Sequence, residues 1–194
     1  MNSADILTKR ALLTPNREAM IELANGVHYT YAELDQRANR AANFLREKYG
    51  VEKGDRVSIL AHNSVAYVDL LFGLAKLGAI LAPLNWRLTS RELTYIVNDC
   101  QPKVLIVGPE FISVYDEMKD SIKVEHLISL EGANVSGEAY EKLADQASAE
   151  EPKRPVISGD DAVCILYTSG TTGRPKGAVL PLSLIHISEP TRPY

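Results

Sequence analysis

The stretch of sequence that decides the fold is residues 161–177, DAVCILYTSGTTGRPKG. Its first part, Asp161–Tyr167, is apolar nearly throughout and has the length of a buried strand. Such a run predicts a central strand that is covered on both faces. Its second part, Thr168–Gly177, contains three glycines, three threonines, a serine and a lysine. The sequence therefore predicts a buried strand that leads directly into a polar, glycine-rich loop.

This loop has the chemistry that a triphosphate requires. Glycines let backbone N–H groups converge into a nest for anionic oxygens, hydroxyl groups add donors and metal ligands, and lysine adds a mobile positive charge. An ordinary flexible loop contains the same residue types. The order of the residues matches neither G-x-x-x-x-G-K-[ST] nor G-x-G-x-x-G, because Lys176 is followed by Gly177 and stands six residues after Gly170.

The residues upstream alternate between helical and strand patterns. Thr30–Glu33 and Thr89–Glu92 have the form of capping boxes, which predict the starts of two helices. A further helix is expected to begin after Asn63 or Ser64 and to end at Gly78. Short apolar runs predict strands at 56–61, 79–84, 103–107, 124–130 and 161–167. Strands that alternate with helices in this way predict an α/β fold with a mainly parallel sheet and crossover helices.

Two other segments carry specific expectations. Residues 131–158 are polar and predict a short solvated helix near 138–146, followed by an exposed linker. Residues 65–84 are mostly apolar but contain Asp69 and Lys76. A charge at the centre of a membrane-spanning helix costs about 2.5–3.5 kcal/mol. We therefore expect no transmembrane segment, but a helix, a glycine turn and a buried strand.

The composition excludes several classes of protein. A net charge of −4 and a pI of about 5.6 argue against nucleic acid or an anionic membrane as the main partner. Cys100 and Cys164 have no zinc-site spacing and are expected to be reduced, as in a cytoplasmic protein. No signal peptide is predicted. His28, His62 and His126 lie far apart with no partner at fixed spacing, so each is expected to be structural or exposed.

The eleven residues Tyr167–Gly177 resemble the signature loop of the adenylate-forming superfamily, which covers acyl-CoA synthetases, luciferases and the adenylation domains of peptide synthetases. Tyr29–Leu34 and Leu74–Asn85 resemble the first and second motifs of that family. Asn85–Leu88 is similar to the acyl- and aryl-CoA ligase branch more than to peptide synthetases. The resemblance identifies residues 1–181 as the N-terminal portion of an AMP-binding adenylation domain.

The resemblance implies an ATP-dependent, AMP-forming carboxylic acid–CoA ligase. In this family the acid attacks the α-phosphate of ATP, and a thiol, usually that of coenzyme A, then displaces AMP. Lys176 is the implied catalytic charge, Thr168 the implied contact to phosphate-bound Mg²⁺, and Arg174 a solvated residue at a variable position. The residues that the resemblance assigns to the phosphates of ATP are Thr168, Ser169, Gly170, Thr171, Thr172, Gly173 and Lys176.

The end of the chain departs from the family pattern. Residues 182–192, LSLIHISEPTR, look like the translation of a transposase-type sequencing-library adapter. Residues 182–194 are therefore expected to be a non-native tail, and His186 is expected to bind no ligand. The family's adenine-binding motif, its second Mg²⁺ carboxylate and its C-terminal catalytic lysine lie further along than position 194. The chain is accordingly expected to be an inactive N-terminal fragment.

Two alternatives from other classes stay open at this point. One is a non-catalytic nucleotide-binding or regulatory module derived from such an enzyme. The other is a structural α/β domain whose loop binds nothing. Acid-dependent ATP–pyrophosphate exchange separates an enzyme from the first alternative, and ATP binding excludes the second.

Overall fold

The structure is a computed structural model that describes residues 6–23, 25–130, 132, 136–169 and 174–183. The described residues form six α-helices: α1 Ile6–Leu13, α2 Tyr31–Tyr49, α3 Val65–Leu77, α4 Ser90–Cys100, α5 Ile112–Met118 and α6 Tyr140–Gln146. They also form nine strands: β1 Glu18–Glu22, β2 Val27–Thr30, β3 Arg56–Leu60, β4 Ile80–Pro83, β5 Val104–Val107, β6 His126–Ser129, β7 Glu138–Ala139, β8 Ala162–Ser169 and β9 Pro175–Pro181.

Seven of these strands form one sheet in the order β7-β6-β5-β3-β4-β8-β9. Every neighbouring pair is parallel except β8 and β9, which are antiparallel. The strands β1 and β2 form a separate antiparallel hairpin. The prediction of an α/β fold with a mainly parallel sheet is therefore confirmed. The β1–β2 hairpin, α1, α5 and β9 were not predicted from the sequence.

Alternate residues of the inner strands face two different helical layers. In β5, Val104 and Ile106 pack in the cluster that contains residues of α2 and α3, whereas Leu105 and Val107 pack with residues of α4 and α5. All four side chains are fully buried. A run without a polar residue is what a strand covered on both faces requires, and the result is a helix–sheet–helix sandwich.

Local signals set the helix ends much as the sequence predicts. Both capping boxes form, with Thr30 and Thr89 accepting from the backbone N–H of the glutamate three residues later. Helix α3 starts after Ser64, whose side chain makes no capping hydrogen bond, and ends at Gly78 with φ 68°. The charged residues of the apolar segment 65–84 are buried and paired, since Asp69 binds Arg37 and Lys76 binds Asp35. No helix within the described ranges is long and apolar enough to cross a membrane.

The predicted central position of β8 is wrong. This strand is the last but one of the sheet and pairs on its outer side with the edge strand β9. Of its side chains Val163 is buried, whereas Leu166 is 41% exposed. Because an edge hairpin receives less helical cover than the inner strands, the apolar composition of residues 161–167 overstated the burial of this strand.

The predicted solvated helix needs correction because one of its faces is buried, whereas the predicted linker is exposed or half-buried at every residue from 147 to 158 except Pro152. Tyr140 and Leu143 of α6 are buried, because they stand one helical turn apart and pack into the cluster with α2 and α3. The connecting segment, residues 147–161, lies against the same layer. It is held by side chains that donate to its backbone carbonyls, among them Asn43 to Ser148 and Arg46 to Lys153.

The predicted boundary at residue 181 falls two residues before the end of the last described range, 174–183. The backbone N–H of Leu182 donates to the carbonyl of Asp161 at 3.0 Å, and the Leu182 side chain is buried beside Val163 and Ala75. Residues 184–194, which include His186, lie outside the described ranges. The non-native tail therefore stays a prediction.

Candidate functional site

The predicted phosphate loop joins two paired strands. Across the β8–β9 hairpin Thr168 stands opposite Lys176, Ser169 opposite Pro175 and Tyr167 opposite Gly177. The structure thus brings together the first and last polar members of the predicted site. Gly170, Thr171, Thr172 and Gly173, together with the side chain of Ser169, lie outside the part of the chain that the structure describes.

Thr168 and Lys176 are available to a ligand. Residues directly opposite each other in an antiparallel pair have Cβ atoms about 4.5–5.5 Å apart and point to the same face. Both residues are exposed. Neither side chain forms a hydrogen bond or ion pair with another described residue. A hydroxyl and an ammonium group therefore project side by side at the base of the glycine-rich loop.

At the base of the hairpin, the ring of Tyr167 packs against Gly177 on the opposite strand. A Cβ atom at Gly177 would stand 3.1 Å from the Tyr167 ring and 3.0 Å from the Ile165 side chain. Contacts this short force a neighbour to move, so any larger residue at this position would push the ring outward. The glycine that ends the loop motif is thus explained by packing next to Lys176, without a contact to phosphate.

The same tyrosine fastens the hairpin to helix α4. Its hydroxyl donates to the carboxylate of Asp99 at 2.7 Å. Burial, followed by the hydrogen bond to Asp99, raises the pKa of Tyr167 well above its usual range. One turn earlier on α4, the ring of Tyr95 lies 5.9 Å from the guanidinium carbon of Arg174, which is otherwise exposed as expected. These contacts place Tyr167 and Arg174, which flank the loop, beside α4.

The loop lies at the carboxyl edge of the sheet. Because β8 runs parallel to β4, its Ser169 end is on the same edge as the residues that follow β3, β4 and β5. Those residues include an aromatic cluster of His62, Trp86 and Phe111, in which the ring of His62 lies 4.8 Å from Trp86 and 5.0 Å from Phe111. In α/β sheets, ligands bind in the crevice outside the carboxyl ends of the strands.

The other predicted candidates have structural surroundings. His62 stacks in the aromatic cluster, His126 lies 5.1 Å from the Tyr49 ring, and His28 contacts Glu18 in the β1–β2 hairpin. The expectation that these histidines are structural or exposed is confirmed. Cys100 and Cys164 are free, and burial raises the pKa of both thiols.

A magnesium ion at Thr168 would depend mainly on ligands from the nucleotide. Among the described residues no group of three or more His, Cys, Asp or Glu side chains could hold a metal ion. Magnesium is commonly held by one or two protein oxygens together with substrate phosphates and water. An exposed threonine hydroxyl beside a phosphate-binding loop fits that kind of site.

Comparison with protein families and curated proteins gives a consistent result. A family model described as AMP-binding enzyme matches residues 7–186. The long-chain-fatty-acid–CoA ligase FadD13 of Mycobacterium tuberculosis is 36% identical over 181 residues, which are 93% of this chain and 35% of that protein. A crotonobetaine/carnitine–CoA ligase of Escherichia coli is 36% identical over 166 residues, or 82% of this chain and 32% of that protein.

Solved structures show the same architecture. A fatty acyl CoA synthetase of Mycobacterium tuberculosis superposes with a TM-score of 0.83 at 33% identity and covers 95% of this chain. The anthranilate CoA ligase AuaEII, solved in complex with anthranoyl-AMP, has a TM-score of 0.86 at 28% identity and covers 93% of this chain. In both cases the match accounts for 35% of the other chain. The chain spans about a third of the length of the curated relatives it matches.

Proposed function

Because the chain belongs to the AMP-binding enzyme family, we propose that it supplies the triphosphate-binding hairpin of an ATP-dependent, AMP-forming carboxylic acid–CoA ligase. The observation that carries this proposal is the pairing of Thr168 with Lys176, both exposed, at the base of the glycine- and threonine-rich loop. The names of the relatives support acid–CoA ligation as the reaction class. The free cysteines Cys100 and Cys164 support a reducing, cytoplasmic location.

In the proposed reaction a carboxylate oxygen of the acid attacks the α-phosphorus of ATP. The bond to the bridging oxygen breaks, pyrophosphate leaves, and an acyl-adenylate is formed. The thiol of coenzyme A then attacks the acyl carbon, and AMP departs with the electron pair of the broken C–O bond. Negative charge increases on the pyrophosphate during the first step. Catalysis of such a transfer asks mainly for positioning and for stabilisation of that charge.

The residues of the hairpin divide this work. The ammonium of Lys176 binds the β- and γ-phosphates and stabilises the departing pyrophosphate. The hydroxyls of Thr168, Ser169, Thr171 and Thr172 and the backbone N–H groups of Gly170 and Gly173 add hydrogen bonds to the phosphate oxygens. Thr168 would contact the Mg²⁺ that accompanies the triphosphate, and that ion would supply further positive charge there.

The test of this proposal is the binding of ATP to the chain itself. Isothermal titration in the presence of Mg²⁺ should detect ATP binding, and tripolyphosphate should compete, since the hairpin recognises phosphates. Removal of a hydrogen bond to a charged group costs about 1.5–3 kcal/mol. The variant Lys176→Ala should therefore bind ATP roughly ten- to a hundredfold more weakly.

A matched control is Lys123→Ala. Lys123 is exposed and precedes β6, at the amino ends of the parallel strands. Its side chain forms no hydrogen bond or ion pair with another described residue. This variant should bind ATP as the wild type does. The proposal is wrong if the wild-type chain binds neither ATP nor tripolyphosphate at millimolar concentration, or if Lys176→Ala and Lys123→Ala have equal affinity for these ligands.

A further inference from the structure

Lys76 is a completely buried lysine that the proposed reaction does not use. It lies near the end of α3, within the segment Leu74–Asn85, and its side chain has no exposed surface. Its ammonium donates to the carboxylates of Asp35 at 2.7 Å and Glu151 at 2.8 Å, and to the side-chain oxygen of Asn39. An ammonium group has three N–H donors, so these three oxygens satisfy all of them.

The three acceptors belong to two different parts of the chain. Asp35 and Asn39 are on α2, whereas Glu151 is on the connecting segment. Asn39 also donates from its amide nitrogen to the carbonyl of Ala149 at 3.0 Å. On the same segment Arg154 donates to Glu151 and to Thr8, which itself donates to Asp35. Lys76 is therefore the centre of a polar network that fixes the connecting segment on the helical layer.

The connecting segment leads directly into β8. Among the described residues, strand β8 has one partner pair with β4, Leu81 with Cys164, whereas it pairs with the edge strand β9 at seven positions. By contrast, β3 and β4 pair at four positions. The side chain of Val163 packs on Ala75, the residue before Lys76. The position of β8 thus depends on α3 and on the connecting segment as well as on its pairing with β4 and β9.

The ionic character of this network matters for its geometry. A buried ion pair is weak support for stability, because apolar residues of similar size often hold two elements equally well. An ammonium with three fixed acceptors has directional demands that an apolar contact lacks. Removal of one acceptor leaves a buried charge partly uncompensated. The network is therefore suited to setting where residue 151 lies, and with it the start of β8.

We propose that Lys76 is a positioning residue for the triphosphate-binding hairpin, acting through Glu151 and the connecting segment on β8. This inference rests on the proposed function for the ligand, but its effect on β8 is independent of any ligand. It assigns a role to the segment Leu74–Asn85, which is distant from the phosphate loop in the sequence. Lys76 holds the strand and touches no reacting atom.

The test uses Glu151→Gln, which keeps the size of the side chain and removes the charge that faces Lys76. The Glu151 side chain is 41% exposed, so the variant should fold. Hydrogen–deuterium exchange without nucleotide should show amides of residues 163–168 exchanging about tenfold faster, while those of β5 are unchanged. The affinity for ATP should fall by about threefold or more, with a melting temperature within a few degrees of the wild type.

The matched control is Glu150→Gln. Glu150 is exposed, and its side chain has no hydrogen bond or ion pair with another described residue. Unchanged exchange of β8 in Glu151→Gln, relative to this control, would overturn the inference. Faster exchange throughout α2, α3 and β5 with a large loss of melting temperature would also overturn it, because Lys76 would then be a general stabiliser. Local loosening of β8 in a chain that binds no ATP would support the role of Lys76 and contradict the proposed function.

Discussion

Tyr167 and Lys176 have different roles in the hairpin, although they belong to neighbouring partner pairs of strands β8 and β9. Lys176 is exposed and is the proposed phosphate-binding residue, whereas Tyr167 is half-buried, covers Gly177 and donates to Asp99. The loop can present its N–H groups and hydroxyls at a fixed place only if its base is held. We therefore expect the residues around Tyr167 to affect ATP binding without touching ATP.

The raised pKa of Tyr167 gives a test by pH. An unfolded tyrosine has a pKa of about 10. Since folding raises the pKa of Tyr167, the native chain keeps a proton that the unfolded chain loses. The stabilisation is present below about pH 10 and is lost as the pH rises through the native pKa. Urea unfolding from about pH 9 to about pH 11 should show a smaller loss of stability in Tyr167→Phe than in the wild type.

The variant Asp99→Asn separates the two causes of that shift. Burial is the larger cause and the hydrogen bond to Asp99 the next. Asp99→Asn should therefore have a pH dependence between those of the wild type and Tyr167→Phe. An identical loss of stability in all three proteins would show that Tyr167 does not titrate differently in the folded chain.

The sequence indicates the candidate site residues more readily than it indicates the residues that support them. The loop residues follow one another along the chain, so their chemistry is visible as a local pattern. Tyr167 and Asp99 are 68 positions apart, and Lys76 and Glu151 are 75 apart. Which of many carboxylates meets a given hydroxyl or ammonium group is decided by the fold. Lys76 and Asp69 were visible as charges in an apolar stretch, and that signal does predict a buried partner.

At the scale of elements, helices α2 and α3 approach each other closely at Gly73. A Cβ atom at Gly73 would stand 2.8 Å from the backbone oxygen of Ala38 and 3.2 Å from the Ala41 side chain. The two helices approach this closely because a glycine faces alanines. Since α3 also carries Ala75 and Lys76, its distance from α2 affects the connecting segment and β8.

The variant Gly73→Ala should destabilise the chain, although alanine is the better helix former. Overpacking of a tight contact costs typically about 1–3 kcal/mol, against about 1 kcal/mol gained from helix propensity. Chemical denaturation should show a net loss of free energy of unfolding, whereas Glu47→Ala on the exposed face of α2 should change it by less than about 0.5 kcal/mol. An increase in stability for Gly73→Ala would mean that the two helices are further apart than described.

The ends of helices could be predicted from the sequence where one local interaction determines them. Thr30 and Thr89 each form the capping box that their spacing indicates, and Gly78 ends α3 in the left-handed conformation. The order of strands could not be predicted, because hydrogen bonds between strands join distant residues. The apolar run 162–167 therefore predicted a strand correctly and its place in the sheet wrongly.

At the scale of the whole molecule, the exposed edge strand β9 is expected to promote self-association. Strand β9 is the last strand of the described sheet and carries Val179, which is 55% exposed and stands opposite Ile165 on β8. An exposed edge with apolar side chains favours pairing with another copy. We expect the 194-residue chain to self-associate at high concentration.

The variant Val179→Lys should shift this association toward monomer, because a charge on an edge strand disfavours pairing. Sedimentation velocity over a range of concentrations measures the effect. Val156→Lys is the matched control, since Val156 is 91% exposed but lies on the connecting segment. A wild-type chain that stays monomeric throughout, or an equal response of both variants, would argue against β9 as the contact.

The central claim is that this hairpin serves acid activation in a ligase. The most direct measurement is acid-dependent ATP–pyrophosphate exchange by a longer polypeptide that contains residues 1–181 as its amino-terminal part. We predict exchange that requires a carboxylic acid and that falls about tenfold or more in Lys176→Ala, but not in Lys123→Ala. The chain by itself, which spans about a third of its relatives, should release no AMP from acid and ATP. A longer polypeptide that binds ATP but shows no exchange with any carboxylic acid would contradict the claim and would identify a non-catalytic nucleotide-binding module.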